Sequence, residues 1–360
     1  MAKSNSLSRK QADLKQKMAE GKEKTLLEAM LEKTGQIVRK LTGNPNRISF
    51  WYSAFLITLI IALIGLAVSM FPGKSDPRHT MMFVWDFVFV LPTIIGVKLH
   101  SSSISTSLNE HVIGSIRSGQ NLDDLEHWWN RFTDNKSAVL FSLAFTILST
   151  LFATTLALLT TGKFPNAGLT LAIALIQALF GLSFYNEMVF LSLPLRMRRY
   201  KFKLYAADPA SSTLIGHLSN MFMTTVYLSA LLVTILTFIA IATGSLFPAV
   251  IFLLLIPLWG IITVVFAIVQ YSLAKIISDA KNETLNGIHT QIESLRIDDT
   301  YANADSRQTY NWLLDYYDRV KTMRSSAMNI RSTLGFLNSL LLPLLAFVLA
   351  NFDKIIDLIL

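Results

Sequence analysis

The sequence predicts an all-α polytopic membrane protein with six transmembrane helices arranged as three hairpins, a cytoplasmic helical and coiled-coil layer, and an apolar C-terminal helix. Of its 360 residues, 52% are hydrophobic and only 16% are charged. The apolar residues lie in blocks whose lengths are close to the roughly 20 residues that a helix needs to cross a bilayer. Lys and Arg gather beside alternate ends of these blocks, and the polar segments between them show helical spacing of apolar residues.

The fourth predicted span is the point from which the other segments are placed. It begins at Ala167, carries no charge except Glu187, and runs into the basic connection 194–216. Such clusters remain on the cytoplasmic side and attract anionic lipid headgroups. The residues expected to anchor the chain to the membrane surface are Arg196, Arg198, Arg199, Lys201 and Lys203.

The N-terminal segment 1–47 is basic, with eleven Lys or Arg residues. After a start predicted to be disordered, residues 24–41 repeat apolar side chains at helical spacing, and Gly43-Asn44-Pro45 ends the pattern. We expect a cytoplasmic amphipathic helix. It lies either on the inner membrane surface or on the protein's own cytoplasmic part.

The remaining spans follow from the apolar blocks and the turn residues between them. The first hairpin, 48–97, contains the spans 51–71 and 81–97, and the second of these includes Asp86 and Pro92. Residues 98–136 are predicted to form a cytoplasmic helical hairpin. The second and third hairpins occupy 137–272, and their spans are 137–161, the helix from Ala167, about 217–243, and one that ends near Ser272.

The distribution of basic residues predicts the orientation independently of hydropathy. The predicted inner segments hold 28 Lys or Arg residues and the outer turns hold three, at positions 74, 78 and 163. A bias of this size places both ends of the six-span block in the cytoplasm. We therefore expect an integral protein of the plasma (inner) membrane with a cytoplasmic N-terminus.

Residues 273–332 show a different pattern, because apolar residues alternate three and four apart on both sides of a polar gap at 298–305. This predicts a cytoplasmic coiled helical hairpin, or a helical bundle between subunits. The last segment, 333–360, begins with an apolar run of the minimum length for a span. It is predicted to be a membrane-associated helix or a seventh span.

Ionisable residues inside spans suggest function because they are costly to bury. Asp86 lies towards the outer end of the second span and Glu187 towards the inner end of the fourth. Asn186, His217 and Asn220 are predicted at a depth similar to that of Glu187. Such a group can bind a cation or relay a proton; alternatively, each carboxylate is simply hydrogen-bonded within the bundle.

Two further polar patterns carry weaker signals. Ser and Thr residues repeat along the third and fifth spans, where they either line a hydrated path or, more commonly, support close helix packing. His100 and His111 share one helical face, but histidines this far apart are usually surface residues. We expect no metal site and no cofactor.

The sequence contains none of four common enzyme signatures: a zinc-protease helix, a nucleophile elbow, a phosphate-binding loop or a paired-aspartate metal motif. We expect neither an enzyme nor a nucleic-acid-binding protein. The leading hypothesis is an oligomeric channel for small cations, gated or assembled through its cytoplasmic helices. The alternatives are a proton- or cation-coupled secondary transporter using Glu187 and His217, and a membrane-anchored scaffold that binds a cytoplasmic protein through the coiled hairpin.

Overall fold

The computed structural model describes residues 2–19, 24–43, 50–70, 77–162, 167–243, 248–297 and 304–324, and every regular element within these ranges is a helix. The predicted all-α class is thereby confirmed. The helices are α1 (Ala2–Ala19), α2 (Leu26–Thr42), α3 (Phe50–Met70), α4 (Pro77–Ser107), α5 (Gly119–Phe132), α6 (Asn135–Thr161), α7 (Ala167–Met197), α8 (Thr213–Thr243), α9 (Pro248–Ile297) and α10 (Ala304–Thr322).

Four helices of the described part are long and apolar enough to cross a membrane, which supports an integral membrane protein. Their qualifying segments are Asn135–Thr155, Ala174–Met197, Thr213–Ile235 and Leu258–Leu295, in α6 to α9. A shorter apolar segment, Phe50–Ile64, lies in α3. The prediction of six spans is thus supported for four helices.

Helices that follow one another along the chain pack together: α3 contacts α4, α6 contacts α7, and α8 contacts α9. Cross-contacts of α3 with α7 and of α4 with α8 join these pairs into one bundle. α6 lies at its edge, where Leu140, Leu148 and Phe152 are exposed. In a membrane, such a face is in contact with lipid.

Two helices continue well beyond the lengths predicted for their spans. α4 extends through Ser107 and then continues as a π-helical turn, Leu108–Val112, and a short 3-10 turn, Ile113–Ser115. α9 is a single helix of 50 residues, about 75 Å long at 1.5 Å per residue. The predicted boundary near residue 272 therefore lies inside a continuous helix.

The main core lies at the end of the bundle that carries the basic segment 196–203, here called the basic end. Apolar residues spaced four apart in the segment predicted as the 98–136 hairpin are at its centre: Ile104, Leu108, Val112 and Ile116 are fully buried. α5 adds Leu125, Trp128 and Phe132. The indole Nε1 of Trp128 donates to the Val189 carbonyl at 3.0 Å, which ties α5 to α7.

The prediction of a disordered N-terminal start is wrong for residues 2–19, because they form helix α1 packed on α5. Leu14 and Met18 are buried in the main core. Lys10 pairs with Asp123 at 2.9 Å and Lys17 with Glu126 at 3.0 Å. Two apolar anchors and two ion pairs hold a helix whose polar composition alone indicates disorder.

Helix α2 packs on the protein and also presents an apolar face to its surroundings. Leu27, Leu31 and Gly35 are buried, while the side chains of Ile37 and Leu41 are 58% and 80% exposed. Gly43, with φ of 65°, ends the helix in the left-handed conformation that glycine favours. The predicted packing of this helix on the protein is therefore present, and its position at the inner membrane surface stays a prediction.

Helices α9 and α10 pack against each other beyond the bundle through Ile288, Leu313 and Val320. Lys281 donates to the carbonyls of Lys321 and Met323 at 2.8 and 2.7 Å, satisfying the C-terminal end of α10. The pairing supports a helical hairpin in this region. The predicted C-terminal helix at 333–360 lies outside the described residues.

Candidate functional site

The polar centre of the bundle is a contact between three helices, here called the His100 network. His100 of α4, which is 4% exposed, points one ring nitrogen to α7 and the other to α8. Its Nδ1 lies 3.3 Å from Glu187 Oε1, and its Nε2 lies 2.7 Å from Thr225 Oγ1. Phe190 packs edge-on against the ring at a centroid distance of 4.6 Å.

The burial of these groups is unequal. Thr225 and Phe190 are fully buried, whereas the Glu187 side chain remains 30% exposed. Glu187 lies ten residues before the end of α7 at Met197, about 15 Å along the helix axis. The network is thus a mostly enclosed polar site in which only Glu187 is partly exposed at the protein surface. Glu187 lies in a segment long enough to span a membrane.

The network can accept either protonation state of the imidazole without moving its heavy atoms. In the neutral form with the proton on Nδ1, that group faces the Glu187 carboxylate and Nε2 accepts the Thr225 hydroxyl proton. In the imidazolium form both nitrogens donate. Thr225 Oγ1 then accepts from Nε2, and its own proton turns to the Met221 carbonyl at 3.4 Å.

The predicted site residues are brought together only in part. The carboxylate of Glu187 lies against His100 rather than His217. His217 instead stacks on His111, with ring centroids 3.5 Å apart and planes within 9°. The shared face predicted for His100 and His111 is consistent with these contacts, since both contact α8.

The histidine prediction needs one correction. We expected His100 to lie on the surface, but it is buried, because α4 continues past the predicted end of its span and carries this residue into the three-helix contact. His111 forms a weak 3.6 Å contact with its neighbour Glu110. Among the described residues, no group of three or more His, Asp and Glu side chains could hold a metal ion.

The remaining predicted residues occupy different environments. Asn186 is buried, and its Nδ2 has no hydrogen-bond partner in the described part of the chain. Asn220 is exposed, and its carbonyl accepts the Thr224 hydroxyl at 2.8 Å. Asp86 belongs to α4, but its side chain lies outside the described residues.

The hydroxyl groups of α6 favour the packing interpretation. Thr146, Ser149 and Thr154 donate to carbonyls of their own helix. Ser142 instead donates to the Ala178 carbonyl of α7 at 2.6 Å. This interhelical bond lies beside Gly181, where the two backbones approach closely.

A second group of hydroxyls lies on α4 and was missed by our sequence reasoning. Next to His100, the run 101–107 contains six Ser or Thr residues. A groove of about 460 Å³ between α4 and α8 is lined by Ser102, Ser103, Thr106, Ser107 and Thr224, with Leu99 and Leu228. The run could have been noticed, since hydroxyls are unusually dense there.

The basic segment 196–203 holds cations that contact the rest of the protein and cations that are exposed. Arg196 pairs with Asp124 at 2.7 Å, and Arg198 lies over the Tyr271 ring at 5.8 Å. Burial and the hydrogen bond to Asp124 raise the pKa of Tyr200. The other predicted anchoring residues, Arg199, Lys201 and Lys203, are exposed.

These three cations project outward because the chain is extended and held in register. The Arg117 amide donates to the Lys201 carbonyl at 2.8 Å, and the Lys203 amide donates to the Ser115 carbonyl at 2.7 Å. Tyr200 and Phe202 are buried between them. Alternate residues of an extended segment point to opposite sides, so one side of this segment is aromatic and the other basic.

A scan against protein-family models and searches of curated proteins and of solved structures found no match for this chain.

Proposed function

We propose that the protein is a secondary transporter that moves small cations, with protons as the first candidate, across a membrane. The observation that carries this proposal is the His100 network. In it, the imidazole of α4 contacts a carboxylate of α7 on one side and a hydroxyl of α8 on the other. Ionisable pairs of this kind within membrane helices are typical of proton and ion pathways. Glu187 and His100 are the proposed coupling pair.

The chemistry required of a coupling site is reversible occupation by a cation. The network offers hydrogen-bond partners to both protonation states of His100. A proton can therefore enter or leave without leaving a buried polar group without a hydrogen bond. The partly exposed Glu187 is the group through which the proton would be exchanged. Thr225 holds the far ring nitrogen and orients the imidazole.

A transporter is favoured over an oligomeric channel because the network joins α4, α7 and α8 of one protomer. A channel remains the second candidate, and the groove of about 460 Å³ between α4 and α8 favours it. Thr224 lines this groove, and the next residue of α8, Thr225, bonds His100. Under either mechanism the same carboxylate lies on the pathway.

We further propose that α3 and α4 also span the membrane, which makes six spans in three hairpins with the basic end in the cytoplasm. α3 has 21 residues, enough for one crossing, and it packs along α4. The exposed row Arg199, Lys201 and Lys203 would then face the anionic headgroups of the inner leaflet.

The test is proton and cation flux in liposomes that contain the purified protein. We expect wild-type flux, and a loss of about tenfold or more in Glu187→Gln, which keeps the side-chain shape but removes the ionisable group. Glu110→Gln is the matched control, because Glu110 contacts His111 outside the network. It should retain wild-type flux.

The driving force distinguishes the two mechanisms. Uphill movement of one solute driven by a gradient of another indicates a transporter, whereas flux that only follows the electrochemical gradient indicates a channel. If folded Glu187→Gln protein retains wild-type flux, the proposed pathway is wrong. If folded wild-type protein shows no flux with several ions and voltages, transport is wrong and the scaffold hypothesis is favoured.

A further inference from the structure

A second polar site lies apart from the His100 network, in a cavity of about 620 Å³ between α2, α3 and α4. Its charged residues come from α2, from α4 and from the segment just before α2: Glu28, Glu32, Arg39, Lys98 and Lys24. Hydroxyls from α3 and α4 line it as well: Ser53, Ser101, Ser102, Ser105 and Thr106. Its wall also includes Leu31 and Phe50, so the cavity is amphiphilic.

The charges in this cavity do not all cancel. Lys98 pairs with Glu28 at 2.5 Å, and Lys24 pairs with Glu32 at 2.6 Å. Arg39 is the fifth charged residue of the wall, and within the described residues no carboxylate forms an ion pair with it. The cavity therefore offers one uncompensated guanidinium.

A guanidinium next to several hydroxyls suits a phosphate group. Arginine presents two parallel N–H donors that match two phosphate oxygens, and serine and threonine hydroxyls donate to the remaining oxygens. A carboxylate ligand would use fewer of these donors. The arrangement favours a phosphate ester.

The surroundings of the cavity indicate where this phosphate comes from. Beside it, α2 exposes Ile37 and Leu41, and the start of α3 exposes Trp51 and Tyr52, each more than half exposed. Exposed aromatic and aliphatic side chains at the start of a span are typical of the membrane interface. A headgroup in the cavity would thus have its acyl chains beside an apolar surface.

We propose that this cavity binds the headgroup of an anionic phospholipid, with Arg39 on the phosphate and the α4 hydroxyls around it. The lipid would join α2 to α3 and α4, which also meet through the Glu28–Lys98 pair. This site shares no residue with the His100 network, and it meets the groove between α4 and α8 only at Ser102 and Thr106, which line both.

The test compares binding of short-chain phosphatidylglycerol to wild-type protein, Arg39→Gln and Lys40→Gln in neutral detergent. Lys40 is the matched control, since it is exposed on the same helix, carries the same charge and does not line the cavity. We expect Arg39→Gln to lose about tenfold in affinity, as for one charge-assisted phosphate contact. Lys40→Gln should bind like wild type.

A second variant keeps the charge and fills the space. Ser105→Leu should also lose phosphatidylglycerol binding while keeping the thermal stability of the lipid-free protein. Equal losses in Arg39→Gln and Lys40→Gln would show attraction to surface charge alone and overturn the proposal. So would equal binding of short-chain phosphatidylcholine.

Inorganic phosphate distinguishes the two sources of the phosphate group. We expect it to compete with phosphatidylglycerol only weakly, because it lacks the acyl chains that would lie against α2 and α3. Binding of inorganic phosphate as tight as that of the lipid would assign the cavity to a free phosphate compound and overturn the lipid assignment.

Discussion

His100 illustrates how one residue can determine the arrangement of a membrane helix bundle. Its two ring nitrogens contact α7 and α8, and its ring face packs on Phe190. A buried imidazole without partners would cost free energy, so these contacts restrict how the three helices rotate against one another. The same contacts form the proposed coupling site.

The residues chosen from the sequence were partly informative at this scale. Glu187 was identified correctly as an ionisable residue inside a helix long enough to span a membrane. His217 was expected beside it because of similar predicted depth, yet depth says nothing about rotation. The actual partner, His100, lay in a segment predicted to be outside the membrane, so it was not considered as a partner of Glu187.

Asp134 gives a prediction for pH dependence. It caps α6, accepting from the Ser137 hydroxyl at 2.6 Å and from the Lys136 amide at 3.1 Å, and the Ser137 hydrogen bond chiefly lowers the pKa of Asp134. Because the folded pKa lies below the ordinary 3.8, the carboxylate stabilises the fold above that value. This contribution is lost as the pH falls through 3.8 and the lower folded value.

The measurement is thermal unfolding of wild type and Asp134→Asn from about pH 6 to about pH 3. We expect the stability advantage of wild type to shrink towards acid pH, since asparagine caps without titrating. Asp134→Ala should lose about 0.5–2 kcal/mol at pH 6, the usual cost of removing an N-cap. Identical pH profiles for wild type and Asp134→Asn would contradict this role of the carboxylate.

At the scale of the element, α6 and α7 show how two apolar helices associate without a strong hydrophobic driving force between them. In lipid, close backbone approach and interhelical hydrogen bonds replace that force. Both are present here: Ser142 donates to the Ala178 carbonyl, and a Cβ added at Gly181 would lie 2.9 Å from the Ser142 Cα. The pair therefore depends on a glycine at this position.

Gly181→Ala is expected to push α6 away from α7 and to destabilise the protein by about 1–3 kcal/mol, the usual cost of overpacking. Gly216→Ala is the matched control, because no atom of the described residues lies within 4 Å of its added Cβ. There the alanine should be neutral or stabilising by up to about 1 kcal/mol. Thermal unfolding in one detergent measures both, and equal stability of the two variants would contradict the close packing.

Helix positions were predicted well from the sequence, and helix lengths less well. Apolar blocks and turn residues are local signals, so α3 and α6 were placed to within a few residues. α4 and α9 continue past the ends of their apolar blocks because nothing in their polar continuations breaks a helix. α1 was missed because Leu14 and Met18 are too few to form a recognisable apolar face.

For the whole molecule, the bundle and the helices at its basic end form one packed unit. α1, α2 and α5 all contribute to the same core as α4, α7 and α8. The lower part of α9 instead extends away and pairs with α10. This arrangement is consistent with membrane spans whose longest polar connections all lie at the basic end of the bundle.

The orientation predicts a pattern of chemical labelling, which is simple to measure because the chain contains no cysteine. Single cysteines at Arg9, Ser211 and Gln308 should react with a membrane-impermeant thiol reagent only after the cells are opened. A cysteine at Lys163, between α6 and α7, should react in intact cells. Labelling of all four positions from the same side would contradict the proposed topology.

The sequence by itself determined that the chain is helical, that it belongs in a membrane and that Glu187 is an unusual residue. Each of these follows from properties of one segment: its hydropathy, its periodicity and the charges beside it. The burial of the apolar face at 104–116 was also predictable, because spacing along a helix defines its faces. Only local chemistry is needed for such conclusions.

Only the tertiary structure decided that Glu187 meets His100 and that His217 stacks on His111. It also decided that Arg39 lines a cavity in which no carboxylate of the described residues pairs with it. These relations depend on the rotation and relative height of helices that lie far apart in the chain. The apolar pattern constrains both only loosely, since a lipid-facing helix can turn through a large angle and keep an apolar surface. The contacts that orient the helices are polar and few, and they join residues that are distant in the sequence.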